Sequence, residues 1–311
     1  MIPALNEQDS IGAVIRSIPR KIAGISKVEV LLVNDGSTDN TVKEALKAGA
    51  DRIAGFRKNK GLGVAFREGI ENALRMKADI IVNIDADGQF NSQDIQKLIR
   101  PIIDGDSDVV TCTRFGVKEL EPEMPFVKRF GNEVFTKTVS MLTGQRFTDT
   151  QCGFRAYSRE AALNLSLFGK YTYVQESLLN LAFKGFKITE VPCKVKGERK
   201  GKSRLVKHWW TYGLRALLII ARTLRDYNPL KFFGTLGAGM FLIGALSAFA
   251  LWVRLLIMHE IDPFMWVVYL DVVLIILGFL LIVLALIADM NDRQRKLQEE
   301  ILYRMKKKEL G

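Results

Sequence analysis

Two long apolar stretches near the C-terminal end constrain the fold of this chain more than any other feature. Phe232–Val253 contains no charged residue, and Pro263–Ala288 contains only Asp271. A helix of about 20 apolar residues is long enough to cross the hydrocarbon core of a bilayer. A core helix of a water-soluble protein normally keeps a polar face, which both stretches lack. We therefore predict two transmembrane helices within residues 230–289, forming a hairpin.

Basic residues flank this pair of stretches unevenly. Those on the two outer flanks are Arg215, Arg222, Arg225, Lys231, Arg293, Arg295, Lys296, Arg304, Lys306, Lys307 and Lys308. The stretch between the helices, Arg254–Asp262, contains a single basic residue beside two acidic ones. Because loops rich in Lys and Arg stay on the cytoplasmic side, the sequence predicts a two-pass integral membrane protein. Its N-terminal domain and its charged tail, residues 290–311, would both be cytoplasmic.

The net charge of +11 is consistent with the same location. Juxtamembrane Lys and Arg residues are attracted to anionic lipids by about 1 kcal/mol each. Residues 205–229 combine such cations with Trp209 and Trp210, and we predict amphipathic helices at the membrane surface there. The sequence contains no nucleic-acid-binding signature, so a nucleic-acid partner is not expected.

Neither the start of the chain nor its cysteines point to export. The opening residues lack a basic start and a long apolar run, so no signal peptide is predicted. Cys112, Cys152 and Cys193 are far apart in the sequence and match neither a zinc spacing nor a disulfide framework. This cysteine usage favours a reducing compartment.

Short β-rich runs alternate with helical patterns over residues 1–204. This alternation is typical of an α/β domain with a mainly parallel sheet. The predicted strands include Met1–Ala4, Val28–Val33 and Asp79–Ile84. Asn6 is expected to cap the helix that follows the first strand.

Polar residues follow three of these predicted strands. They are Asn6-Glu7, Asp35, and Asp85 with Asp87. Ligands of open α/β sheets bind beyond the carboxyl ends of the strands, so these residues predict a ligand site at that edge. Two carboxylates on one turn suit a divalent cation such as Mg²⁺ or Mn²⁺ that is shared with substrate phosphates. A solvated acidic loop is the alternative interpretation.

The glycine-containing turn Lys60-Gly61-Leu62-Gly63 has two interpretations. It is not a dinucleotide-binding fingerprint, because Phe66 occupies the position of the third glycine. Lys60 would either face a phosphate or belong to an ordinary surface turn.

Four motifs, taken in order, resemble those of family 2 glycosyltransferases. They are Pro3-Ala4-Leu5-Asn6-Glu7, Val33-Asn34-Asp35-Gly36-Ser37-Thr38-Asp39, Asp85-Ala86-Asp87-Gly88-Gln89 and Asp149-Thr150-Gln151-Cys152-Gly153-Phe154-Arg155. More narrowly, the chain is similar to the dolichol-phosphate mannose synthase group and its polyprenyl-phosphate relatives. The resemblance covers residues 1–204 and implies a Rossmann-like GT-A domain.

The resemblance also implies roles for individual residues. The nucleotide would be bound by Pro3, Ala4, Asn6, Glu7, Asp35, Lys60 and Asp85. The metal would be held by Asp85, Asp87 and Gln89, and the acceptor phosphate would lie near Arg114, Arg129 and Asn132. The implied catalytic set is Asp87, Arg114, Arg129, Asp149, Glu176 and Arg199. Arg199 lies in a basic loop, residues 199–204, that differs from the family pattern by one residue in its spacing.

The implied reaction is a single, inverting transfer of one hexose to a polyprenyl or dolichyl phosphate at the cytoplasmic face of the membrane. Mannose from GDP-mannose is the expected donor sugar, with glucose from UDP-glucose as the alternative. A processive polysaccharide synthase is a further alternative, but the chain lacks its Q-x-x-R-W element and has only two predicted membrane helices. A membrane scaffold that only binds nucleotides is the non-enzymatic alternative.

Asp271 is the one charged residue within the predicted spans. Ionisable residues inside a membrane are costly and are often functional. Pairing with Arg254, contact with a neighbouring subunit in a homo-oligomer, and a role in catalysis all remain open at this point.

Overall fold

A computed structural model describes residues 1–115, 126–167, 169, 173–195, 225, 228–259 and 262–310. The chain forms two compact units. The first comprises Met1–Gly213 together with Leu302–Gly311, and the second comprises Leu214–Ile301. Arg199 and the predicted juxtamembrane helices of residues 205–229, apart from 225, 228 and 229, lie outside the described residues.

The first unit contains strands and helices in alternation. The strands are β1 (Ile2–Ala4), β2 (Leu31–Asp35), β3 (Arg52–Phe56), β4 (Ile80–Asn83), β5 (Val109–Thr113), β6 (Arg155–Ser158) and β7 (Ile188–Pro192). The helices are α1 (Ile11–Ser17), α2 (Thr41–Lys47), α3 (Leu62–Arg75), α4 (Ile95–Ile103), α5 (Phe126–Thr143), α6 (Arg159–Asn164) and α7 (Val174–Phe183). This order confirms the α/β fold class.

The strands form two sheets that meet at β1 and β4. One sheet has the order β1-β2-β3 and is parallel, and the other has the order β4-β6-β5-β7. The backbone N–H of Ile84 donates to the Met1 carbonyl at 3.2 Å, so β1 and β4 are neighbours. Strand β5 is parallel to β7, whereas β6 is antiparallel to both β4 and β5. The reversed direction of β6 is a feature that the sequence did not predict.

Strand β2 shows why the apolar runs are continuous. Leu32 packs in a cluster with Ile15 of α1 and Leu98 of α4. Val33, its neighbour, packs on the other side with Phe66 of α3. Successive side chains of a strand point to opposite faces, so a sheet covered by helices on both faces needs apolar residues at every position.

Two local predictions are wrong in detail. Asn6 does not cap α1, because that helix begins at Ile11 after Ser10. Asn6 instead has a positive φ of 54°, and its side chain accepts a hydrogen bond from the backbone of Thr38. Strand β2 begins at Leu31 rather than Val28 and extends to Asp35. In both places, contacts with distant segments override the local preference.

The three cysteines converge although they are distant in sequence. Cys112, Cys152 and Cys193 are all buried thiols. Hydrogen bonds from Cys152 and Cys193, together with burial, raise the pKa of Cys112. A thiol with a raised pKa is a poor nucleophile, so this cluster packs as part of the core.

The end of the chain packs against the first unit. The hydroxyl of Tyr303 donates to Glu160 at 2.6 Å, and the ammonium of Lys306 donates to the Leu165 carbonyl at 2.7 Å. Tyr303 and Leu310 also cover the apolar cluster that contains Ile70. Burial lowers the pKa of Lys306. Residues 302–310 are therefore a packed part of the domain as well as a charged tail.

The second unit contains two long helices, α8 (Pro229–Met258) and α9 (Met265–Leu310). The last turns of α9, from Leu302 onwards, belong to the first unit. Both are long and apolar enough to cross a membrane, with mean hydropathies of 2.1 and 3.2 in their most apolar windows. Only 6% and 17% of those windows are buried. A core helix of a soluble protein would be mostly buried, so this exposure indicates a membrane anchor.

Glycines bring α8 and α9 into close contact. A Cβ atom on Gly278 would lie 2.6 Å from the backbone nitrogen of Phe241 and 2.8 Å from the Gly237 carbonyl. Near the other end of this contact, the Asp271 side chain is 2% exposed, and one of its carboxylate oxygens has no hydrogen-bond partner within the described part of the chain. Small residues are typical of membrane helices that pack at short distance.

Gly278→Ala should destabilise this helix pair. The added methyl group would overlap with the Phe241 backbone, and such overpacking typically costs about 1–3 kcal/mol. Gly239→Ala is the matched control, because within the described part of the chain no atom outside its own helix backbone lies within 4 Å of its Cβ position. Thermal unfolding of the full chain in detergent should show a lower midpoint for Gly278→Ala only. Equal midpoints for the two variants would contradict the close contact.

Candidate active site

The acidic turn after β4 forms the centre of the site. Asp85 and Asp87 are both half-buried, and the Asp87 carboxylate accepts a hydrogen bond from the Gln89 backbone at 3.1 Å. Gly88 has a φ of 72°, which lets the chain turn between Asp87 and Gln89. Among the described residues, no group of three or more His, Cys, Asp or Glu side chains is arranged to hold a metal. Two carboxylates would therefore supply only part of a cation's coordination.

The backbone of Gly153 packs closely against the Asp85 carboxylate. A Cβ atom on Gly153 would lie 3.2 Å from each carboxylate oxygen of Asp85 and 2.8 Å from the hydroxyl of Tyr173. The amide of Asn83 donates to the Gly153 carbonyl at 2.8 Å and to the Tyr173 hydroxyl at 2.7 Å. Tyr173 is fixed in turn by stacking on Phe66, with ring centroids 3.8 Å apart. Burial raises the pKa of Tyr173, so its hydroxyl stays neutral.

A second part of the site is an ion pair at the end of β5. Arg114 donates from Nε to Asp149 at 2.6 Å and from Nη2 at 3.0 Å, which is a two-pronged contact. Asp149 is fully buried, whereas the side chain of Arg114 is 22% exposed. Burial alone would lower the pKa of Arg114, but the hydrogen bonds and charge of Asp149 outweigh it and the pKa is raised. The result is a permanent cation in a fixed orientation with an accessible side.

The direction of β6 brings these two parts together. Strands β4 and β5 end at Asn83 and Thr113, and β6 lies between them in the opposite direction. The residues before Arg155 therefore lie at the edge where β4 and β5 end. This places Asp149 and Gly153 beside Arg114 and Asp85, respectively.

The loops after β1, β2 and β3 interlock at the neighbouring part of this edge. Asn6 donates from its backbone to Ser37 at 3.1 Å, and its side chain accepts from Thr38 at 2.8 Å. The buried carboxylate of Asp35 accepts hydrogen bonds from the backbones of Lys60 and Gly61 at 2.8 and 3.0 Å. The structure thus brings Asn6, Asp35 and the Lys60 loop together.

The other predicted residues lie in varied surroundings. Pro3 and Ala4 are buried in β1, and the Glu7 carboxylate accepts from the Ser10 hydroxyl at 2.9 Å. Glu176 accepts from the backbone of Gly169 at 3.0 Å. On α5, Arg129 is exposed, whereas Asn132 is 5% exposed and its side-chain oxygen has no hydrogen-bond partner among the described residues.

Sequence reasoning missed a buried arginine beneath the site. Arg155 is fully buried, and its guanidinium donates to the hydroxyls of Thr111 and Ser177 at 3.2 and 2.9 Å. It also donates to the carbonyls of Thr150, at 3.0 Å, and Val174. These contacts connect the loop that carries Asp149 with the start of α7. The signal was present, because Arg155 ends the same motif that begins with Asp149.

Comparison with known proteins decides the family. The family model described as "Glycosyl transferase family 2" matches residues 1–165. This chain belongs to glycosyl transferase family 2. A UDP-N-acetylglucosamine–dolichyl-phosphate N-acetylglucosaminyltransferase from Methanococcus voltae is 32% identical to it over 213 residues, covering 62% of this chain and 83% of the relative. A dolichyl-phosphate hexose transferase from Haloferax volcanii is 33% identical over 200 residues, covering 64% and 82%. The chain is thus a glycosyltransferase.

Solved structures confirm the fold of this glycosyltransferase. Glucosyl-3-phosphoglycerate synthase from Mycobacterium tuberculosis, crystallised with Mn²⁺, UDP and glucosyl-3-phosphoglycerate, superposes with a TM-score of 0.52. The match covers 73% of this chain and 77% of that structure at 24% sequence identity. The predicted GT-A fold is therefore confirmed.

Gly153→Ala should impair this glycosyltransferase without unfolding it. The methyl group would push against the Asp85 carboxylate and the Tyr173 hydroxyl, and a displacement of about 1 Å at a reacting group can cost about 100-fold in rate. The rate at which nucleoside diphosphate is released from a nucleotide sugar should fall by roughly tenfold or more. Gly12→Ala is the control, because its nearest neighbour is the flexible end of Arg16 at 3.3 Å. A Gly153→Ala variant with full activity would contradict the support of Asp85 by this backbone.

Proposed function

We propose that this glycosyltransferase transfers one hexose from a nucleotide sugar to the phosphate of a dolichyl or other polyprenyl phosphate. The observation that carries the proposal is the fixed guanidinium of Arg114 at the same edge of the sheet as the Asp85 turn, in a chain that also has two helices of membrane length. The names of the two relatives support dolichyl phosphate as the acceptor. Mannose is the sugar that the motif resemblance favours, with glucose as the alternative.

The acceptor needs positive charge more than it needs a base. The second pKa of a phosphate monoester is about 6, so the lipid phosphate is mostly a dianion at neutral pH and is already nucleophilic. Its approach to a nucleotide diphosphate brings two anions together. Arginine has five N–H donors, and in the described contacts Arg114 directs two side-chain nitrogens at Asp149. The remaining donors suit phosphate oxygens. Arg129, which is exposed on α5, would add a second cation.

Asp85, Asp87 and Gln89 fit a divalent cation shared with the donor. Their ligand atoms are oxygens, which Mg²⁺ and Mn²⁺ prefer, and a site with only two carboxylates leaves positions for diphosphate oxygens and water. When bound, such a cation would screen the charge of the departing diphosphate. Gly153 and Tyr173 hold Asp85 in place for this role. The contribution of these residues is orientation, which is established before the substrates arrive.

The remaining predicted residues would surround the donor. Asn6, Glu7, Asp35 and the Lys60 loop would bind the nucleoside and its phosphates, and Glu176 would lie near the sugar. Val195 forms an isolated antiparallel bridge with Phe90, next to Gln89. Arg199, which lies outside the described residues, would supply a further cation for the diphosphate.

The packed tail supports a two-pass anchor with the catalytic domain in the cytoplasm. Tyr303 and Lys306 contact Glu160 and Leu165, so the tail and the catalytic domain lie on the same side of the membrane. A chain that returns to its starting side crosses the membrane an even number of times, which α8 and α9 provide. The excess of Lys and Arg on both outer flanks makes that side cytoplasmic.

The full chain in detergent should glycosylate a short polyprenyl phosphate when supplied with labelled GDP-mannose, UDP-glucose and UDP-N-acetylglucosamine in turn. Thin-layer separation of the lipid product would identify the sugar.

Excess EDTA should abolish transfer, and Asp87→Ala should lower it by roughly 100-fold or more, because the leaving diphosphate would lose its charge screening. The exposed residue Asp104 supplies the control variant, Asp104→Ala. Absence of a lipid-linked product with all three donors would overturn the acceptor, and full activity in EDTA would overturn the metal.

Thiol labelling of intact cells should test the topology. An Ile261→Cys thiol, in the predicted connecting loop, should react with a membrane-impermeant maleimide from outside. A Lys308→Cys thiol, on the exposed side of the tail, should react only after the cells are lysed. Background should be low because the three native cysteines are buried. Labelling of both thiols from outside, or of Lys308→Cys alone, is the outcome that rules out a cytoplasmic catalytic domain.

A further inference from the structure

Glu190 holds the loop that presents Asp149 to Arg114. One carboxylate oxygen of Glu190 accepts from the backbone N–H of Thr148 at 2.8 Å and from the Thr148 hydroxyl at 2.7 Å. The other oxygen accepts from the backbone N–H of Asp149 at 2.9 Å. These three hydrogen bonds all go to two consecutive residues. Glu190 lies outside the four motifs and outside the residues assigned above.

The backbone of Glu190 is fixed independently of this loop. Glu190 lies in the middle of β7 and is paired with Thr111 of β5 in a parallel ladder. Strand β5 ends at Thr113, directly before Arg114, whose side chain contacts Asp149. Both members of the Arg114–Asp149 ion pair are therefore attached to the paired strands β5 and β7. Arg114 directly follows β5, and Asp149 is held to β7 by the Glu190 side chain.

We propose that Glu190 is a positioning residue that orients the guanidinium of Arg114 through Asp149. This inference rests on the proposed function, because it assigns Arg114 to the acceptor phosphate. A two-pronged contact between a guanidinium and a carboxylate requires both groups to be nearly coplanar, so the orientation of Asp149 sets that of Arg114. The Asp149 carboxylate also accepts the backbone N–H groups of Arg114 and Gln151 at 3.3 and 3.0 Å.

Loss of Glu190 would release the backbone on which this orientation depends. Thr148 and Asp149 would lose three hydrogen bonds, and Arg114 would lose its fixed direction although it would keep its charge. The effect should fall on the acceptor, because the donor is bound by the loops after β1, β2 and β4. A residue that only stabilises the fold would instead impair the use of donor and acceptor alike.

Steady-state kinetics of Glu190→Ala test this directly. The KM for a short polyprenyl phosphate should rise by roughly tenfold, because a misplaced group in an active site typically costs at least that factor. The Kd of the nucleotide sugar should stay within about twofold of the wild-type value. Glu190→Gln should lie between wild type and Glu190→Ala, because its amide oxygen can keep part of the contact. Glu44→Ala is the control, since Glu44 lies on α2 and forms an ion pair with Lys47. An equal loss of donor binding would overturn the proposal.

A double variant shows whether Glu190 acts through Arg114. With Arg114→Ala in place, adding Glu190→Ala should change the remaining transfer rate by less than about twofold, because the group that Glu190 positions is already absent. Independent sites would give effects that multiply. If the effects of the two substitutions on the transfer rate multiply, Glu190 does not act through Arg114.

A measurement without activity separates this inference from the proposed function. Phenylglyoxal modifies accessible arginines, and mass spectrometry gives its rate at Arg114. Glu190→Ala should raise that rate by at least about threefold over wild type and Glu44→Ala, because a released guanidinium is more exposed than the 22% seen here. Unchanged labelling would overturn the positioning role even if wild type transfers sugar. Faster labelling in a chain that glycosylates no polyprenyl phosphate would support the positioning and overturn the acceptor. If Glu190→Ala does not fold, Glu190→Gln provides the same comparison.

Discussion

Strand β6 lies between β4 and β5 and runs antiparallel to both, and the geometry of the site depends on this direction. A parallel strand in that place would put the loop of residues 149–154 at the opposite edge of the sheet. Its actual direction brings one loop into contact with both the acidic turn of β4 and the arginine after β5. The Asp85 carboxylate and the Arg114 guanidinium are thus both contacted by one short segment, in which Gly153 and Asp149 are only four positions apart.

Two buried charges in this segment are stabilised in different ways. Asp149 is fully buried and is compensated by Arg114, which keeps one side accessible. Arg155 is fully buried, and its guanidinium donates to neutral hydroxyl and carbonyl oxygens of four residues. A buried charge is costly unless its hydrogen-bonding groups are satisfied, and such a network tolerates few alternative arrangements. The ion pair and the hydrogen bonds offset the cost of burying these groups, and they also restrict the conformation of the loop.

The sequence predicted those parts of the fold and the site that depend on local pattern. Apolar runs gave the strands, and the polar residues after β1, β2 and β4 indicated the edge where the site forms. The predictions failed or were absent where distant segments decide the outcome. The contact of Asn6 with Thr38, the support of Asp85 by Gly153 and the three hydrogen bonds of Glu190 all join residues at least 31 positions apart. Nothing in the residues near Glu190 distinguishes it from an ordinary surface glutamate of an edge strand.

The packed tail has a consequence for how the protein is made. Residues 302–310 cover apolar side chains of α3 and α6, yet they are the last turns of α9 and are made about 100 residues after the rest of the domain. Synthesis proceeds at about 5–20 residues per second, so the catalytic domain would wait roughly 5–20 s for the segment that completes its surface. During that interval the apolar side chains that the tail covers would be exposed. Their exposure would be a transient feature of the nascent chain, which ends when the tail packs against the domain.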